Sequence, residues 1–284
     1  MGRRSPDRNL YVGNPAISLR VPLVPSGLAS ILRRPGKKGQ VTRIVRVAEA
    51  LERLYGKRRR RGRRSPPLDT LIGTLLSQNT NDQNSYRAWI ELKKKYPAWE
   101  AVAVAPWQSI AAAIKVGGLK NQKARRIQEI LRRIHRDWGE YSLDALRGKT
   151  NDEVMEYLLT MKGVGEKTAA CVLVFSLNRD IFPVDTHIHR ICNRLGLVAT
   201  KTAEDTFRSM DSMVPAGKSY SFHVNLIQFG REVCRASRPL CRDCPLFDEC
   251  VFVLKDAFAE IPASAGRKSN RNFLITEHLS ETRN

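Results

Sequence analysis

Met161-Lys162-Gly163-Val164-Gly165-Glu166-Lys167-Thr168-Ala169-Ala170 is the stretch on which the reading of this chain turns. Upstream, Thr150 and Glu153 stand as a capping box, and Val154, Leu158 and Met161 recur at helical spacing. Downstream, the apolar, alanine-rich run 168–177 reads as a second helix. Glycine permits positive φ and close approach of another backbone, so Gly163-Val164-Gly165 predicts a tight hairpin between two helices. The hairpin ends at a helix N-terminus, where free N–H groups and the dipole favour an anion such as phosphate. Lys167 falls in the first turn of that second helix. Read alone, the stretch is equally a plain turn with a solvated lysine. Eighteen residues after Lys167 comes Asp185, in Val184-Asp185-Thr186-His187-Ile188, just ahead of another helical run.

Composition narrows the partner. A chain of 284 residues can bury one large core or two modest ones. Its 49 Lys and Arg against 28 Asp and Glu give a formal charge of +21. That excess points to a polyanion, with nucleic acid ahead of an acidic membrane surface or a mere basic tail. The run Lys57 to Arg64 reads as a flexible phosphate-contacting loop or as a solubilising or nuclear-type patch. Lys93, Lys120, Lys123, Arg125, Arg126, Arg132 and Arg133 spread the charge further. No run of 18 apolar residues exists, so no membrane span is expected. Residues 1–40 are rich in Arg and Pro and lack the apolar stretch of a secretory signal. They read as a disordered basic extension, with a transit peptide or a misplaced start as alternatives. Six cysteines without such a signal point to a reducing compartment, and to metal rather than disulfides.

Helical periodicity predicts helices over 41–54, 68–77, 84–96, 99–105, 107–114, 121–137, 151–161, 166–177, 186–195, 203–213 and 218–232. Few alternating runs are long enough for a strand, so the expected class is all-α. Gln78-Asn79-Thr80-Asn81-Asp82 interrupts the pattern, with Asp82 as the expected N-cap of the next helix. Amide side chains suit the reading of base edges, although a capped turn explains them too. Gly117-Gly118-Leu119-Lys120 opens a strongly basic helix. Leu119 there could wedge between bases or staple against its own helix. His187 and His189, two apart, read as structural. Cys171 and Cys192 lie in apolar runs and read as core. Cys234, Cys241, Cys244 and Cys250, separated by six, two and five residues, predict one metal centre. Zinc and iron–sulfur clusters both take four thiolates, and the spacing alone does not choose. From about residue 262 the chain is polar and is expected to fray.

In this order, the hairpin with its lysine, the Val-Asp-Thr-His-Ile segment and the cysteine spacing resemble the endonuclease III family of DNA glycosylases. The resemblance spans about residues 41–255. It implies two helical domains flanking a DNA cleft: a six-helix barrel over 67–188, and a second domain from 41–66 and 189–255. A polar tail, 256–284, follows. It also implies that Cys234, Cys241, Cys244 and Cys250 hold a structural [4Fe–4S] cluster. By resemblance, Lys167 is the nucleophile that attacks C1′ of a flipped nucleotide, displaces the base and forms a Schiff base. β-Elimination then nicks the strand. An ordinary lysine, with pKa about 10.4, is only roughly 0.04% neutral at pH 7, so the site has to lower it. Asp185 would handle the proton and stabilise positive charge on the sugar. Gly163, Val164, Gly165 and Lys162 would hold a phosphate. Gln78, Asn79, Leu119 and Lys120 would contact the duplex.

Two departures bear on substrate. Asn79 stands where the family has glutamine, and Met161-Lys162 replaces leucine-proline. The resemblance implies a monomer acting on double-stranded DNA that carries a damaged or mismatched base or an abasic site. Oxidised pyrimidine is the first expected substrate, and uracil or thymine opposite guanine the second. A non-catalytic helix-hairpin-helix DNA-binding protein is the alternative of another class. Such a protein would work in the nucleoid of a prokaryote, or in the nucleus or mitochondrion of a eukaryote.

Overall fold

The computed structural model describes residues 36–59, 64–261 and 279. Among them no strand occurs, and the helices are α1 (Lys37–Tyr55), α2 (Pro67–Ser77), α3 (Asp82–Lys95), α4 (Trp99–Val104), α5 (Trp107–Ala113), α6 (Lys120–Trp138), α7 (Asn151–Leu159), α8 (Glu166–Cys171), α9 (Thr186–Arg194), α10 (Ala203–Asp211), α11 (Ser219–Glu232) and α12 (Lys255–Glu260). None is long and apolar enough to cross a membrane.

These helices bury two cores. The first is built on α2, whose Leu68, Leu71, Ile72, Leu75 and Leu76 are all buried. Pro67 suits the first helical turn, where its missing N–H costs nothing. Around α2 pack α3 to α8. On α6 the stripe Ala124, Ile127, Leu131 and Ile134 faces inward at spacings of three and four, while Arg132, Arg133 and Arg136 stay outside. Each buried Ile or Leu contributes roughly 1.5–3 kcal/mol. Trp99 closes one end: its ring lies 5.9 Å from Trp89 and its Nε1 donates to Asp69 at 2.8 Å.

The second core gathers Ile44, Val47 and Leu51 of α1, Ile188 and Ile191 of α9, Phe222, Leu226 and Phe229 of α11, and Leu246. The cores meet on one element. After α8 the chain makes a π turn over Val172–Ser176. Ala169, Val172 and Leu173 enter the first core, while Cys171, Val174 and Phe175 enter the second. A π turn inserts a residue into the helical phase, which re-aims the side chains after it.

Several expectations need correction. α1 starts at Lys37, so the last residues of the segment read as a disordered extension are helical. Asn81, not Asp82, caps α3, its side chain accepting from Asn84 N at 2.9 Å; either residue type suits a cap, and chain geometry chose the earlier. The helix expected to run to 177 leaves the α form at Val172. The tail is not frayed at every point, because Leu279 is fully buried against Gly73 of α2. The basic run is partly docked: Arg58 donates to Asn225 Oδ1 at 3.2 Å and to Gln228 Oε1 at 2.6 Å on α11. The rest of the expected extension and tail, and positions 60–63, lie outside the described residues.

Candidate active site

The hairpin forms as its sequence demands. Thr150 and Glu153 make the reciprocal capping box that starts α7. Gly163 takes φ 83°, and any Cβ there would run into the Arg126 side chain, which lies across the turn from α6. Gly165 caps α8 with ordinary φ. Val164 is buried in the first core and pins the turn, while Lys162, Gly163 and Gly165 stay exposed.

Lys167 therefore sits in the first turn of α8, at the border between the cores. It is part-buried, and its charge acts on the buried Cys171 one turn on. Burial pushes the Cys171 thiol up, and the Lys167 charge opposes that rise. Asp185 is the N-cap of α9, with Oδ1 accepting from Ile188 N at 2.8 Å. The charges of Lys167 and Asp185 both reach Asp82, Cys171 and His223, which places the pair around one small space. No ion pair joins them among the described residues.

The walls of this space escaped the sequence reading. Asp82 of α3 forms an ion pair with Arg231 of α11, bridging the two cores. Burial raises the Asp82 carboxyl, and Arg231 opposes the rise. His223 is buried, with Nδ1 donating to Pro183 O at 2.8 Å, and burial pushes its pKa down to about 4. Partners this far apart in sequence leave no local signal. His187 hydrogen-bonds to Arg190 and His189 to Thr206, structural contacts as expected.

The expected duplex-facing residues divide. Gln78 turns inward, with Nε2 donating to Gly163 O at 3.2 Å and Thr168 Oγ1 at 3.4 Å, so it ties α2 to the hairpin. Asn79 is exposed with φ 52° and Leu119 is exposed with φ 44°, which leaves these two as loop tips. Leu119 is therefore not stapled on its own helix. Lys120, beside it, is exposed.

Cys234, Cys241, Cys244 and Cys250 all line one pocket, together with Leu195, Phe229, Val233 and Phe252. All four are free thiols. Three consecutive turns, Cys244 N to Cys241 O, Phe247 N to Cys244 O and Cys250 N to Phe247 O, at 3.1–3.2 Å, wrap the loop around it. Arg194 of α9 donates to Cys234 Sγ at 3.5 Å and stacks 4.3 Å over Phe252. Burial and then the neighbouring thiols push Cys244 up to about 12 and raise Cys241 and Cys250. Among the described residues, no three His, Cys, Asp or Glu side chains converge as ligands of a single ion.

Comparison with known proteins gives this arrangement relatives. The chain is 35% identical over 202 residues to endonuclease III of Thermotoga maritima, covering 71% of this chain and 91% of that protein. It is 33% identical over 170 residues to the DNA glycosylase/AP lyase ROS1 of Arabidopsis thaliana, but spans only 12% of that much longer protein. A solved trapped endonuclease III–DNA covalent intermediate superposes with a TM-score of 0.64 at 25% identity, covering 74% of this chain and 95% of that one. The sequence profile of the HhH-GPD superfamily base excision DNA repair proteins matches residues 72–216. On the strength of that match over half its length, and of an all-helical fold with a glycine hairpin between its two cores, the chain belongs to the HhH-GPD superfamily of base excision DNA repair proteins.

Proposed function

We propose that this DNA glycosylase is bifunctional, removing oxidised pyrimidines from duplex DNA and then cutting the abasic strand. The observation that carries the reading is Lys167 at the N-terminal end of α8, on the border of the cores, sharing its space with Asp185 but in no ion pair with it. A carboxylate clamped on the amine would hold it protonated. No such clamp on Lys167 occurs among the described residues. The amine of Lys167 attacks C1′, the bond from C1′ to the base breaks, and the base leaves. Loss of the amine proton to Asp185, directly or through water, lets the ring open to an imine. Removal of a 2′ hydrogen then expels the 3′ phosphate. The relatives named as an AP lyase and trapped covalently on DNA support this course.

The cysteines fit an iron–sulfur cluster better than zinc. A zinc site with bonds of about 2.3 Å holds its sulfurs about 3.8 Å apart. These thiols surround an apolar pocket without converging on one ion. A [4Fe–4S] cluster takes each thiolate on a separate iron. Cys234, Cys241, Cys244 and Cys250 would hold it, and it would supply a rigid core for a loop with few apolar residues. The net charge of +21, with Lys162 and Lys120 exposed, suits phosphate binding.

Borohydride trapping on an abasic duplex tests the lyase. The wild type is expected to cross-link, and Lys167→Gln to lose the cross-link; trapping of that variant at the wild-type level defeats the assignment. A panel of lesion duplexes tests the substrate. Excision of uracil or thymine opposite guanine in preference to oxidised pyrimidine would move the reading to the mismatch class. DNA binding without base release or nicking would leave only the non-catalytic alternative.

A further inference from the structure

We propose that Lys123 is a positioning residue that locks the two loop tips, Asn79 and Leu119, at a fixed spacing so that they enter the duplex together. The inference rests on the glycosylase reading above.

Lys123 belongs to the most basic helix of the chain, yet it is only 4% exposed, while Lys120, Arg125 and Arg132 on α6 face solvent. Its Nζ donates to Leu76 O at 2.7 Å and to Gly117 O at 2.8 Å. Its backbone N–H donates to Leu119 O at 2.9 Å. That backbone bond is the ordinary first bond of α6; the side chain holds two carbonyls, that of Leu76 three residues before Asn79 and that of Gly117 two residues before Leu119. Leu76 lies in the last turn of α2, where carbonyls lack helical partners and a cation is favoured. Gly117 ends the turn that leads into α6. No carboxylate pairs with Lys123 among the described residues, and burial depresses its pKa to about 8. A buried unpaired cation opposes folding. Methionine would fill the same slot but leave the Leu76 and Gly117 carbonyls without their donor.

The loops it joins show what the two bonds serve. Asn79, Gly118 and Leu119 all have left-handed φ, at 52°, 69° and 44°. The position of a Cβ on Gly118 lies 3.9 Å from Asn79 O, so the two tips are neighbours. Leucine in this region is strained, and such strain persists only where the surroundings over-determine the backbone. Leu119 is nonetheless 51% exposed, so packing of its own side chain does not hold it. The side-chain bonds from Lys123 fix the turn that leads to it and tie that turn to the end of α2. A wedge and an amide fixed side by side lose no freedom on entering a stack, whereas loose tips would have to be ordered at that step.

The test uses the full-length protein with the lesion the wild type releases fastest, and a duplex carrying 2-aminopurine opposite it. Lys123→Met is expected to lower base release at least tenfold and to weaken the aminopurine signal of extrusion. Borohydride trapping at saturating abasic DNA, which has no base to extrude, is expected to change less than threefold. Lys123→Arg, which keeps the charge and donors, is expected to restore part of the signal. Wild-type extrusion by Lys123→Met overturns the proposal, as does an equal loss of release and trapping in a folded protein. If Lys123→Met does not fold, Lys123→Gln, which is shorter and uncharged, decides: unchanged extrusion overturns the proposal, and a threefold or greater loss with trapping intact supports it. A wild type that neither releases bases nor is trapped sinks the glycosylase reading instead, and so is told apart.

Discussion

Asp185 carries two duties that one substitution separates. As N-cap of α9 it needs only an acceptor oxygen, and asparagine supplies one as well as aspartate does. As partner of Lys167 it needs a charge. Asp185→Asn is therefore expected to leave stability within about 0.5 kcal/mol while lowering base release at least about 100-fold, read by urea melts and single-turnover excision. A matched loss of stability would reduce Asp185 to a cap. His223 makes a second test. Burial holds its folded pKa at about 4, below the unfolded value near 6.5. Its neutral form is native, so stability is fully present above pH 6.5 and falls as pH drops from there towards 4, by up to about 3 kcal/mol. His223→Asn, which keeps a donor for Pro183 O, is expected to flatten that fall in urea melts at pH 7, 5.5 and 4.5. Sequence marked Lys167, Asp185 and the four cysteines because motif spacing is local. It passed over Arg231, whose partner Asp82 lies 149 residues away.

The hairpin was legible because its signals sit within a few residues: a capping box, an apolar stripe, a glycine. Even so, sequence could not say which glycine is indispensable. Gly163 has φ 83° and lies under Arg126, whereas Gly165 has ordinary φ and open space around its α-carbon. Gly163→Ala is expected to cost about 1–3 kcal/mol in thermal or urea melts. Gly165→Ala should cost less than about 1 kcal/mol. Equal effects would show that the turn is not strained at Gly163. The π turn was illegible for a different reason. Val172 to Phe175 is apolar on every side because it serves two cores, so no periodicity betrays the change of phase. α1 was read short because Lys37 to Gln40 carry no apolar residue to extend the stripe.

Across the molecule, the division drawn from resemblance at residue 188 separates domains that the packing joins. α8 and the π turn give one face to each core, and the Asp82–Arg231 pair spans them. Lys167 stands where both cores contribute walls, so its surroundings depend on the second core being intact. That core ends in the cysteine loop, which adds Leu246 and little other apolar surface. The first core, from α2 to α8, has a full complement of buried Leu, Ile and Trp and does not touch the cysteines. The two are therefore expected to respond differently to loss of the metal centre. Purified protein should be brown and hold about four irons per chain; a colourless zinc protein would refute the cluster. Cys241→Ala should lose the colour and turn one unfolding transition into two, the earlier one belonging to α1 and α9–α11. Trp89 and Trp99, both in the first core, report the later one by fluorescence. Borohydride trapping should fall with the earlier transition, although every residue of the hairpin remains folded. A single transition with trapping unaffected would mean that the hairpin and its own core suffice to form the site.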